Sequence, residues 1–197
     1  MNPSPRDRRR PPGAVHLGAD LELLFADCFW AGWRTRLEGG AEEPLYLPAT
    51  AQAPHRLCYR ADHFASALHE TAHWCIAGPA RRRLVDFGYW YAPDGRDAAG
   101  QRAFEAVEAR PQALEWIFSE AAGHPFRPSA DNLDGTGTGT GTGTGGDFAA
   151  RIGAELRRWL ASGPPPRAVR FADALRLAYG TGDWRDLDRY RLPGGVP

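Results

Sequence analysis

The chain has 197 residues, 43% of them hydrophobic and 11% aromatic, which suits one folded domain with a sizeable core and excludes a wholly disordered chain. Its 24 basic residues, all arginine, balance 24 acidic ones. That balance argues against direct nucleic-acid binding, and the lack of lysine excludes Schiff-base and P-loop lysine chemistry. No apolar run reaches the length of a membrane span and no secretory leader follows the opening MNPSPRDRRRPP. Cys28, Cys58 and Cys75 form no CxxC pair, so packed thiols in a cytoplasmic protein are expected, with no membrane partner.

Residues 1–14, rich in arginine and proline, predict a disordered arm ahead of a single domain over 15–197. Leu21, Leu24, Phe25, Cys28 and Phe29 recur at helical spacing and predict a helix from about 17 to 33. Gly39-Gly40 breaks the pattern, and short extended pieces are expected around 45–47 and 57–59. Asp62 reads as the N-cap of a helix from about 63 to 76, stopped by Gly78-Pro79. LVDFGYWY, residues 84–91, reads as a strand, and PDGR as a turn. A long helix is predicted over 98–122, interrupted at Pro111. The tract GTGTGTGTGTGG, residues 135–146, reads as a flexible loop with nothing to bury. Two last helices are expected over 148–161 and 171–179, separated by three prolines. The class is α+β: a helix-rich single domain with a small sheet.

The informative motif is His69-Glu70-Thr71-Ala72-His73, an HExxH on a predicted helix that carries two of only six histidines. Side chains four apart stand one turn above each other, so both imidazoles reach one ion. A third ligand is required. The chain after His73 lacks a metzincin extension, and the only later histidine, His124, stands at a helix end before Pro125. A carboxylate from the second long helix is the better candidate. Glu105, Glu108, Gln112 and Glu115 form one polar stripe there, of which Glu108 is the favoured ligand, Glu105 the runner-up, and Glu115 is expected to face solvent. The metal site is thus expected between the HExxH helix and that second helix. Spacing alone admits zinc, with Glu70 as general base of a metallopeptidase, or iron(II) capped on one face with positions open for dioxygen.

The segments SALHETAHWCIAGPARRRLVDFGYWYAPDGRD and FEAVEARPQALEW resemble the bacterial elongation factor P hydroxylase family, with EPLYLPA upstream and AAGHPF and DNLDG downstream. The resemblance implies a cytoplasmic, monooxygenase-type hydroxylation of a lysine of elongation factor P, one already extended by a β-lysyl group. It also implies iron(II) on His69, His73 and Glu108 or Glu105, with molecular oxygen as co-substrate. In that chemistry Glu70 orients a ligand, manages protons or is a ligand itself. Asp86, Asp94 and Asp97 are candidate guides for the cationic side chain, and Phe87, Tyr89, Trp90, Tyr91 and Trp74 candidate walls. The zinc metallopeptidase stands as the alternative.

Overall fold

Leu21, Leu24, Phe25, Cys28 and Phe29 occupy positions i, i+3, i+4, i+7 and i+8, and that stripe is the buried face of α1, Gly18–Trp33. A computed structural model describes residue 10 and residues 15–86, 98–129 and 145–191. Arg34, in the left-handed conformation at φ 45°, ends α1 and turns the chain into a sheet. That sheet has three strands, β1 Thr35–Ala41, β2 Leu45–Leu47 and β3 His55–Arg60, in the order β1-β3-β2. β1 runs parallel to β3, and β2 antiparallel to it. The strand over Thr35–Ala41 is a correction to the sequence reading, which stopped at Gly39-Gly40. Gly39 is there because the backbone passes Tyr59 closely: a Cβ at that position would lie 2.7 Å from the Tyr59 hydroxyl and from the Ala61 carbonyl. Glu22 of α1 ties the same corner, accepting from the Gly39 amide and the Tyr59 hydroxyl, both at 2.9 Å.

α2, Phe64–Ile76, buries Phe64, Ala67, Leu68, Thr71, Ala72 and Cys75. Its cap differs from expectation. His63 takes the N-cap position with no side-chain cap, and Asp62 lies one residue outside. α3, Ala98–Ala122, passes straight through Pro111 rather than being interrupted. Every described side chain from Pro111 to Ser119 is buried, because α3 packs against α2, α4 and α5 at once. A helix covered on all sides is the centre of the core. Leu114, Ile117 and Phe118, each fully buried, contribute about 1.5–3 kcal/mol apiece.

α4, Gly145–Ser162, lays Phe148, Ile152, Leu156 and Trp159 against the core. It begins inside the last two glycines of the Gly-Thr tract, earlier than predicted; the rest of that tract lies outside the described residues. α5, Pro166–Tyr179, starts five residues before its predicted beginning. Pro166 stands at the first helical position, where its missing N–H costs nothing, so the third proline opens the helix instead of separating it. Trp184 and Tyr190 close the fold over α5, the Trp184 indole donating to Asp173 at 2.8 Å.

Of the predicted arm, only Arg10 is described; its amide donates to the Ala178 carbonyl at 2.7 Å. Of the predicted strand at 84–91, Asp86 bridges Tyr46 of β2, while Phe87, Tyr89, Trp90, Tyr91, Asp94 and Asp97 lie outside the described residues. All three cysteines are free and buried. Among the described residues no helix is long and apolar enough to cross a membrane.

Candidate metal centre

Leu68, Ala72 and Cys75 draw one side of α2 into the core, which leaves His69, Glu70 and His73 at the border facing α3 and a cavity. The two imidazoles, one turn apart, converge. Their Nε2 atoms are 3.0 Å apart, with ring centroids at 4.6 Å and planes inclined by 68°. Glu108 comes from α3, its side chain 1% exposed. Its Oε2 lies 3.5 Å from Nε2 of His69 and 3.4 Å from Nε2 of His73. Among the described residues these three form the one group of ligand atoms close enough to share an ion.

The residues fit a metal on two grounds. Donor atoms separated by 3.0 to 3.5 Å can all stand about 2.1 Å from one common point, the bond length of imidazole and carboxylate ligands. Both oxygens of Glu108 are also buried without a hydrogen-bond partner. A carboxylate stripped of water and left without a donor costs several kcal/mol unless a cation stands beside it.

Glu115, two turns along α3, contradicts its expected solvent-facing position. Only 9% of it is exposed, and its Oε2 accepts from Nδ1 of His69 at 2.8 Å. That bond puts a ring proton on Nδ1, so Nε2 is the nitrogen that faces Glu108 and His73. The reason for the error is physical: the polar stripe lies on a central helix, so it points inward. Glu105 is equally buried but stands outside the three-residue group. Gln112 exchanges two hydrogen bonds with the Ser129 backbone, at 2.7 and 3.0 Å, and pins the segment that follows α3.

The titration of the cluster reflects an excess of acid. Burial works against the charge on His69, but the Glu115 hydrogen bond, with Glu115, Glu70 and Glu108 as charges, pushes its pKa well above the imidazole range. Burial also works against Glu108; contact with His73 and the charges of His73, His69 and Arg81 outweigh it and hold the carboxyl below its usual value. Glu70 goes the other way, pushed up by burial despite the opposing pull of His69 and His73. Three carboxylates around two imidazoles make a pocket for a cation.

Beside His73 lies a small recess that is partly open to solvent. Tyr46, Leu57, Trp74 and Ala77 line it, together with Glu70 and Asp86. The Tyr46 hydroxyl is fixed at 2.7 Å from Nδ1 of His55 and donates to the Arg82 carbonyl at 3.1 Å. Trp74 is 3% exposed and packs edge-on against Phe25 and Phe29. Asp86 is ion-paired with Arg81. His124 stands elsewhere, 5.0 Å from the Phe64 ring and 5.2 Å from His16. Sequence reasoning missed Glu115 as a partner of His69, and missed Tyr46 as a wall of the cavity. The stripe was visible; the direction it faces was not.

With this geometry the chain was compared with known proteins. A profile of the family described as elongation factor P hydroxylase matches residues 24–188, from α1 to beyond α5. A relative from Haemophilus influenzae, named elongation factor P lysine hydroxylase, is 43% identical over 179 residues, covering 89% of this chain and 96% of the relative.

Proposed function

Since the chain belongs to the elongation factor P hydroxylase family, we propose that His69, His73 and Glu108 hold iron(II) and that the chain hydroxylates a lysine side chain of elongation factor P there. The observation that carries this reading is Glu108, a buried carboxylate with both oxygens unbonded, set against two converging imidazoles. Iron(II) in that position supplies the dioxygen activation that oxidation of an unactivated side-chain carbon requires. The reaction is of monooxygenase type, one oxygen atom entering a C–H bond and the other leaving as water, with two electrons from an external reductant.

Each residue has a distinct task in this scheme. Nε2 of His69 and of His73 and the Glu108 carboxylate would hold the ion as a two-histidine, one-carboxylate set. Glu115 orients His69 through Nδ1. Tyr46, Leu57, Trp74 and Ala77 supply the apolar groups of the neighbouring recess, where the side chain enters. The substrate is the β-lysyl-extended form of the lysine, and the setting is the cytoplasm, where a translation factor is modified. The segment 15–197 acts as one catalytic domain. The zinc peptidase reading of the same triad is not favoured, because the family is one of hydroxylases.

The test is the intact mass of lysylated elongation factor P after aerobic incubation with the iron-loaded chain and a reductant. A gain of one oxygen mass is expected, absent with His73→Ala. No gain with the iron-loaded wild type overturns the proposal.

A further inference from the structure

The recess beside His73 holds a carboxyl group that stands outside the three-residue metal group. Glu70 and His73 are three residues apart on α2, share one helical face and both line the cavity, whereas His69 does not. The other charged groups on its wall are engaged: Arg81 pairs with Asp86, and Arg82 donates to the Ala77 carbonyl. Among the described residues Glu70 has neither a hydrogen bond nor an ion pair, and stands outside the metal group. The charges that act on it are those of the cluster itself, His69, His73, Glu108 and Glu115. The apolar groups that line the same recess are Leu57, Trp74, Ala77 and the Tyr46 ring.

A carboxylate beside apolar side chains complements an aliphatic chain tipped by an ammonium group. We propose that Glu70 binds a primary ammonium of the extended lysine side chain, while its methylenes run along Leu57, Trp74 and Ala77. Glu70 is then the residue that selects a cationic substrate. Asp86, which the sequence offered for this task, is already neutralised by Arg81. The inference rests on reading the cluster as the hydroxylation centre.

Glu70→Gln keeps the shape and removes the charge. Binding is measured under nitrogen, where no turnover occurs, using elongation factor P lysylated at the target lysine and the same protein acetylated there. The wild type is expected to favour the lysylated form by about tenfold or more, the worth of a hydrogen bond between charged groups. Glu70→Gln should erase that preference with its iron content intact, and in aerobic kinetics the loss should fall on KM rather than kcat. Undiminished preference in Glu70→Gln, loss of its iron, or a fall in kcat at constant KM overturns the assignment. The two readings fail separately. A wild type that discriminates without hydroxylating sinks the proposed reaction alone; one that hydroxylates without discriminating sinks the role of Glu70 alone.

Discussion

Glu115 decides which nitrogen of His69 is free for an ion. Its 2.8 Å contact holds a proton on Nδ1. Glu115→Ala should therefore weaken iron binding about 10–100-fold, the usual cost of losing such a partner. Glu115→Gln, whose amide oxygen still accepts from Nδ1, should lose less. Competition with a chromogenic chelator measures both, and an unchanged affinity in Glu115→Ala would sink the argument. At this scale the sequence shows the converging histidine pair plainly, because side chains four apart on a helix stand on one face. It shows the stripe of Glu105, Glu108, Gln112 and Glu115 equally well. It does not show that the stripe is buried, since helical spacing defines a face and only tertiary packing defines what the face meets.

At the level of elements, the helix that carries both histidines is held at its end by another helix. Arg167 of α5 donates to the carbonyls of Cys75 and Ala77, at 3.0 and 2.7 Å, and its guanidinium lies 4.5 Å from the centre of the Trp74 ring. Those carbonyls are orphans of the last turn of α2, which a cation satisfies well. Arg167→Met, which keeps much of the stem, should cost roughly 1.5–3 kcal/mol, read as a lower urea midpoint with unchanged slope. A midpoint equal to wild type would show that the clamp contributes nothing. The helices were legible because their apolar periodicity is strong; β1 was not, because its pairing with β3 is parallel and distant in sequence and two glycines dilute its pattern. Pro166 misled for a related reason: a proline cluster reads as a break, yet its last member is an ordinary first residue of a helix.

For the whole molecule, the arrangement places the site at the rim of the core rather than inside it. α3 is covered by α2, α4 and α5, and only where α2 turns its border toward α3 do polar groups from both helices meet next to a cavity. An ion held there would join the HExxH helix to the central helix, so metal uptake and stability would be coupled. Composition foretold the helix-rich α+β class, but helical spacing did not distinguish two glutamates one turn apart, of which the fold brings Glu108 to the histidine pair. Iron stoichiometry after anaerobic loading and desalting tests that choice most directly. Wild type and Glu105→Ala should retain about one iron per chain, and folded Glu108→Ala should retain almost none. Full iron retention by folded Glu108→Ala, with loss in Glu105→Ala, would contradict the account.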